Sequence, residues 1–370
     1  MKRLLLVGAG HAHLEILRRL IAEPLPEVEL TVVSLGPLHH YSGMVPGFLQ
    51  GIYREDEIAV RVADLVARAG GRFVAGRAAG VDPGRRVARL EEGEEIPYDL
   101  VSFAVGSNTA GIDDPRVSGE AQRIKPLERV VGLQRRLHDL ARETGVSVAI
   151  IGGGAAGVEI ALAVAALFEK AGKRHRITIL DSGDEILAGY RDRFRRRARR
   201  ILARRGIDVL TGQRVAAVHA GEVETEGGKV PSRLTVWLTG AVAWPLFRDS
   251  GLPLDGRGFL LIDDALRSLG DPRIFAAGDC GTLADHPETP KAGVYAVREG
   301  PVLWESLKAA VQGGEPPRYE PQHGFLSILN TGDGRALLDY KGIVSHSRWA
   351  WRLKDKIDRR FMARYQELVC

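Results

Sequence analysis

Apolar and polar positions in this chain fall into blocks whose period switches. Leu4-Leu5-Leu6-Val7 is a continuous apolar run of the kind a strand buried on both faces requires. Beyond it, Leu14, Leu17 and Leu20 recur at helical spacing while Glu15, Arg18 and Arg19 fall on the opposite face. Residues 29–33 predict a second strand. The same succession returns further on, with a strand at 148–151, an Ala-rich helix reaching Lys170 and a strand at 176–180. Near the end, Leu353, Ile357, Phe361, Tyr365 and Leu368 step by 4, 4, 4 and 3 and predict a helix with one apolar stripe.

Each strand-to-helix junction in the two early units is a glycine turn. The first reads Gly8-Ala9-Gly10-His11-Ala12-His13, with His13 where a third glycine is usual and Ser34 where an acid is usual after the second strand. The second reads Gly152-Gly153-Gly154-Ala155-Ala156-Gly157, complete, and its second strand ends in Asp181. Such turns let the backbone approach a pyrophosphate at a helix N-terminus, and a following acid accepts hydrogen bonds from an adenosine ribose. Asp181 disfavours a 2′-phosphate and favours NADH over NADPH. Two such units in one chain suggest electrons passing between two nucleotides.

Composition narrows the class. The 370 residues are 45% hydrophobic and 27% charged, which excludes wholesale disorder. The longest apolar run, residues 160–168, is too short for the ~20 residues of a membrane span. With two cysteines, Cys280 and Cys370, there is no disulfide framework, CxxC pair or four-cysteine zinc site, and a cytoplasmic chain is expected. The histidine pairs His11/His13 and His39/His40 lack the carboxylates or cysteines of a metal site, so none is expected. The net charge of +5 is local. Residues 191–205 carry nine arginines against Asp192, and residues 348–370 carry seven Lys/Arg against three acids, leaving the rest net acidic. That pattern argues against nucleic acid as a partner.

One further signal assigns the nucleotides. Residues 273–279 read as a short strand running into Gly278-Asp279. The order of a first glycine turn, Ala104-Val105-Gly106-Ser107, a second glycine turn, Leu238-Thr239-Gly240 and Ala277-Gly278-Asp279 resembles the two-dinucleotide-binding-domain flavoproteins of the pyridine nucleotide-disulfide oxidoreductase superfamily. Within it the chain is similar to type II NADH dehydrogenase-like proteins and to the module sometimes fused to selenophosphate synthetase. That closer similarity rests on the first glycine turn, residues 41–47, Pro290-Lys291-Ala292-Gly293-Val294-Tyr295 and residues 351–362, and it spans about residues 1–365. His13 is not foreign to such modules.

The resemblance implies an α/β fold of two Rossmann-like domains, one inserted in the other, plus a small C-terminal α+β module. It implies FAD on residues 1–108 and 245–312, NADH on 109–244, and a C-terminal module at 313–370 with the amphipathic helix. FAD would be held by Gly8, Gly10, His11, Ala12, His13, Ser34, Ser42, Gly43, Met44, Ala104, Val105, Gly106, Gly278, Asp279, Lys291 and Gly293. NADH would be held by Gly152, Gly154, Gly157, Glu159, Asp181 and Gly240. Lys291 is expected at the flavin pyrimidine edge, Glu159 at the nicotinamide end, and Tyr295 either beside the acceptor or in the core.

Disulfide-using relatives carry redox cysteines soon after the second strand, where this chain has His39-His40-Tyr41-Ser42-Gly43-Met44. The flavin is therefore expected to pass electrons straight to an outside acceptor, a quinone first. A soluble selenium, sulfur or protein acceptor, or a non-catalytic redox-sensing role, stays open. The tail, with Trp349, Trp351 and five cations beside its stripe, suits an anionic lipid surface on the inner face of the cell membrane. Docking on the protein body or on a second copy, as a homodimer, suits the same stripe.

Overall fold

The structure, a computed structural model, describes residues 1–369, so the expectation for Cys370 lies outside the described residues. The first apolar run forms β1 (Lys2–Val7), buried from Leu4 onward. After the turn, α1 (His11–Ala22) leads into β2 (Val28–Ser34), parallel to β1 with Leu4 opposite Leu30. Gly8 has φ +86°, and a Cβ there would lie 2.5 Å from the Ala104 carbonyl oxygen, so conformation and space both demand glycine. The short helix α2 (Val45–Leu49) and the strands β3 (Arg72–Ala75) and β4 (Leu100–Phe103) follow.

A second parallel sheet comes next. It is built from β5 (Ala121–Arg123), β6 (Val146–Ile151), β7 (His175–Leu180), β8 (Ile207–Leu210) and β9 (Leu234–Trp237) in the order β5-β9-β6-β7-β8. The helix α3 (Ala155–Lys170) joins β6 to β7, and α4 (Asp192–Arg204) joins β7 to β8. The chain then returns to the first sheet. There β10 (Ile274–Ala276) pairs beside β4, completing the order β10-β4-β1-β2-β3. Parallel strands buried on both faces explain why their sequences are apolar runs rather than alternations.

Helix α3 is apolar nearly all round because it is covered nearly all round, by β7 of its own sheet, by α2 and by the C-terminal module. On α4, Phe194, Ala198, Ile201 and Leu202 are buried, and the arginines face outward or pair with Glu185 and Glu169.

The remaining chain forms α5 (Gly293–Gln312), packed along α1, an antiparallel sheet of β11 (Ser327–Asn330), β12 (Ala336–Tyr340) and β13 (Ile343–Ser347), and α6 (Arg348–Gln366). Ser347 caps α6, its Oγ accepting from the Ala350 N–H at 3.1 Å.

One expectation is corrected here. The tail stripe does not face one environment: Phe361 and Tyr365 are buried, but Ile357 is 43% exposed. The buried face is instead Ala350, Lys354, Asp358, Phe361, Met362 and Tyr365. Lys354 and Asp358 can enter the core because they pair with each other at i,i+4, with Nζ to Oδ2 at 2.9 Å. Among the described residues no helix is long and apolar enough to cross a membrane.

Candidate functional site

The C-terminal ends of the first sheet's strands converge on a cleft of about 660 Å³. Its floor is the first glycine turn, with Gly8, Gly10, His11 and Ala12 on its surface. Ser34, at the end of β2, stands on one side. Ala104, Val105 and Gly106 follow β4, and Gly278 and Asp279 follow β10, along the opposite wall. Ser42, Lys291 and Gly293 close the far end, where Gly293 begins α5. The expected contributors from distant sequence positions thus meet in one groove at the strand ends, where open α/β sheets place nucleotides.

The polar groups are set from behind. Asp279 Oδ2 accepts from the Ser107 hydroxyl at 2.7 Å and lies 3.3 Å from Lys125 Nζ. The Gly278 N–H donates to buried Glu299 at 2.5 Å, and burial raises that carboxyl to about 7. Four polar atoms buried behind the wall have no hydrogen-bond partner, His39 Nε2, His40 Nδ1, Asn108 Oδ1 and Glu128 Oε2, while His40 Nε2 lies 3.9 Å from Glu55 Oε1. A pyrophosphate-bridged dinucleotide such as FAD fits its volume, its glycine floor at a helix N-terminus and the polar wall of Ser107, Asp279 and Lys125.

Several expected positions lie elsewhere. His13 does not reach the cleft. It is fully buried, its Nδ1–H donating to the Gly8 carbonyl at 2.5 Å and its Nε2 accepting from the Ser102 hydroxyl at 2.9 Å. Burial lowers its pKa to about 4, so this neutral imidazole holds the turn from below. Met44 is buried off the cleft, and the Gly43 carbonyl accepts from Lys354 Nζ at 2.8 Å.

Lys291 borders the cleft, but its ammonium turns inward. It donates to the Gly281 carbonyl and to Thr282 Oγ1 (2.9 Å) and sits 4.4 Å above the Phe259 ring. The cation meets these acceptors because burial makes an unpaired ammonium costly. Tyr295 is buried, T-shaped against Phe325 with ring centres 6.0 Å apart, and lines a small cavity that shares Gly278, Asp279, Lys291 and Ala292 with the cleft.

In the second unit the glycine turn is as tight as its sequence predicts. A Cβ on Gly157 would collide with the Gly152 carbonyl oxygen. Asp181 braces that turn, accepting from the Gly153 N–H at 2.5 Å and the Gly183 N–H at 2.7 Å. Gly154 caps α3 in open space, and the Gly240 carbonyl accepts from Ala110.

Glu159 is corrected more sharply. Instead of facing an open nicotinamide end it is buried beneath the C-terminal module, accepting from the Asn330 N–H at 2.7 Å, 3.8 Å from Lys354 Nζ. Burial raises it to about 7 despite that cation. Asp358 shares Lys354 and accepts from the Tyr41 hydroxyl at 3.2 Å. Phe361 stacks on Tyr41 at 4.5 Å, and His11 meets both rings. Glu159, Lys354, Asp358 and Tyr41 therefore link α3, α6 and the loop beside the cleft. No sequence spacing signals this cluster, nor the wall residues Lys125, Arg77, Glu91 and Trp244.

Among the described residues Cys280 is the free cysteine, and it is buried. Its thiol donates to the Phe103 and Ala277 carbonyls, and burial pushes its pKa up to about 11. It is held as an unreactive thiol. No group of three or more His, Cys, Asp or Glu among the described residues could hold a metal ion.

Two glycine-turn sheets, one inserted in the other, with a long cleft at the first, define a flavoprotein that binds two dinucleotides. Residues 2–304 match the family described as pyridine nucleotide-disulphide oxidoreductase, and the chain belongs to that family. The demethylphylloquinone reductase NdbB of Synechocystis is 30% identical over 290 residues, covering 75% of this chain and 71% of that one. The NADH dehydrogenase-like protein YutJ of Bacillus subtilis is 22% identical over 332 residues, 90% of each chain. The solved sulfide:quinone oxidoreductase of Aquifex aeolicus superposes with TM-score 0.82 at 18% identity, over 99% of this chain and 92% of that one, a likeness of fold. FAD and a nicotinamide dinucleotide are the cofactors of this architecture.

Proposed function

We propose that this chain is an FAD-dependent NADH dehydrogenase that delivers electrons to a quinone without an intervening disulfide. The observation that carries the reading is the cleft end formed by His11, Ser42 and Gly293. Among the described residues no thiol lines it, and Cys280 is held behind the wall by its bonds to backbone carbonyls. The names of the Synechocystis and Bacillus relatives, a quinone reductase and an NADH dehydrogenase-like protein, support the acceptor and the donor.

On this reading residues 1–108 and 245–312 hold FAD, 109–244 hold NADH, and 313–370 form the acceptor-side module. FAD, when bound, accepts hydride from NADH and yields electrons to the acceptor. The chain's own residues bind and orient. Gly8, Gly10 and the α1 N-terminus take the pyrophosphate, with Asp279 and Lys125 beside it. Ala104, Val105, Gly106, Ser42 and Gly293 line the path to the flavin. Asp181, Gly152, Gly154, Gly157 and Gly240 position the NADH. His11, whose pKa burial lowers to about 4, keeps a neutral ring beside Gly293 and so adds no fixed charge there.

The outward face of α6 carries Trp349, 61% exposed, and Ile357 between Arg352, Lys356 and Arg360. Exposed apolar groups flanked by cations fit a peripheral contact with anionic lipid on the cytoplasmic face. A homodimer through the same face is the rival arrangement. Flotation with anionic against neutral vesicles separates them, since salt-sensitive capture by the anionic ones alone supports the lipid contact.

The deciding experiment is an anaerobic NADH titration followed by visible absorption, then addition of a short-chain quinone. Bleaching at one NADH per flavin and recovery with the quinone are expected. A flavin that NADH leaves oxidised would sink the reading.

A further inference from the structure

The first glycine unit lacks the acid that usually receives the adenosine ribose, since β2 ends in Ser34. What stands at that end of the cleft is different chemistry. The Gly76 N–H donates to the Ser34 carbonyl at 2.9 Å, which brings the segment after β3 alongside the end of β2. The next residue, Arg77, places its guanidinium carbon 5.2 Å from the centre of the Trp244 ring. Its Nε lies 3.3 Å from Glu91 Oε1, and the Glu91 N–H donates to the Arg77 carbonyl at 2.9 Å. Arg77, Glu91 and Trp244 all border the cleft.

These residues come from three separate parts of the chain. Arg77 follows β3, Glu91 lies on the antiparallel hairpin beyond it, and Trp244 lies where the chain passes from the second sheet back to the first. The side chain of Arg77 is 31% exposed, so the stack retains a face toward the groove. A guanidinium over an indole, ion-paired to a carboxylate, offers an apolar and cationic surface with donors at its rim. Planar heteroaromatic bases stack on such surfaces with little loss of side-chain freedom.

We propose that Arg77 and Trp244, braced by Glu91, form the platform for the adenine of FAD, so that affinity is drawn from both sheet units rather than from a ribose acid on β2. The geometry favours the adenine over the flavin. The flavin end of the cleft is marked by His11, Ser42 and Gly293, and the glycine floor separates it from Ser34 and Arg77. Adenine contact with Trp244 also ties the crossover segment to the first unit whenever FAD is in place.

The inference rests on the FAD reading above, and its test keeps the two apart. FAD release from the purified holoenzyme is followed by the rise in flavin fluorescence for the wild type, W244F, W244A and R77A. The enzyme is also reloaded with FAD carrying fluorescent ethenoadenine, whose emission an indole in contact quenches.

W244F should release FAD at close to the wild-type rate, because a phenyl ring still stacks. W244A and R77A should release it about ten- to a hundredfold faster, the range expected for loss of one base-stacking contact. Ethenoadenine emission should be quenched in the wild type and bright in W244F. Equal release from all four proteins, or ethenoadenine as bright in the wild type as in W244F, overturns the platform while leaving the FAD enzyme intact. If W244A does not fold, R77A and the emission comparison decide the matter alone. A protein that takes up no flavin overturns both readings.

Discussion

Replacing Glu159 by Gln tests whether the buried cluster under the C-terminal module holds a proton of its own. One ammonium, Lys354, faces two buried carboxylates, Glu159 at 3.8 Å and Asp358 at 2.9 Å. If all three were ionised the cluster would carry a net negative charge away from water, which burial opposes. Burial raises both carboxyls, and Glu159, whose contact with the cation is the longer, rises from the ordinary 4.5 to about 7. A folded-state pKa above the unfolded value contributes stability that is complete below about pH 4.5 and is lost as pH rises through 7.

Folding should therefore strengthen by about 1.4 kcal/mol as pH falls from 8 to 6, from this group alone. In E159Q the amide oxygen can still accept from the Asn330 N–H, but the proton linkage is gone. The assay is urea unfolding at 25 °C across pH 6–8, read by tryptophan fluorescence, as the difference between wild type and variant. The wild-type curve should gain that increment toward pH 6 relative to E159Q. Parallel curves would show that Glu159 is ionised in the fold and refute the argument.

Other expectations follow from the same geometry. Lys354→Met removes the shared cation and should destabilise by about 3–5 kcal/mol at pH 8. The loss should shrink toward pH 5 as the carboxylates take protons, and adding D358N should recover part of it, with urea unfolding as the measurement. Cys280→Ala should leave NADH turnover within about twofold, since the thiol acts as a small buried group, and iodoacetamide at pH 8 should leave Cys280 unlabelled in peptide mass spectra of the folded protein. Asp181→Ala should cut kcat/KM for NADH by about ten- to a hundredfold, the worth of hydrogen bonds to a charged group, and change NADPH turnover much less. Equal losses with both dinucleotides would mean that Asp181 only braces the Gly153 turn.

Legibility in the sequence tracked the range of the interaction. Gly8, Gly157 and the apolar runs of β1 and β6 were readable because a turn or a buried strand imposes its demand on neighbouring residues. His13 was read as a nucleotide contact because its place in the motif was visible, whereas its partner Ser102 is 89 residues away. Lys291 borders the cleft as its position before α5 implies, but the direction of its ammonium depends on Thr282 and Phe259. The tail was read from apolar spacing alone, which cannot foresee that Lys354 and Asp358 become a buried face once Glu159, Gly43 and Tyr41 supply partners. Arg77 and Trp244 carried no signal, because a stack between residues so far apart exists only after both sheets have formed.

The loop at residues 41–44 shows what replaces a cysteine pair in this chain. Lys354 of α6 bonds the Gly43 carbonyl, Asp358 accepts from the Tyr41 hydroxyl, and Phe361 stacks on the Tyr41 ring. These contacts come from one side of the helix at i, i+4 and i+7, so the loop is gripped along two turns. The opposite side of the same helix carries Trp349, Arg352 and Lys356, and exposed Ile357 lies at the flank. The helix thus stands between that outer face and the rings of Tyr41 and His11. It also reaches Glu159, because Lys354 lies between that carboxylate and Asp358. Lys354 thus joins the buried carboxyls to the loop beside the cleft, and its substitution should disturb the Glu159 proton and the loop together.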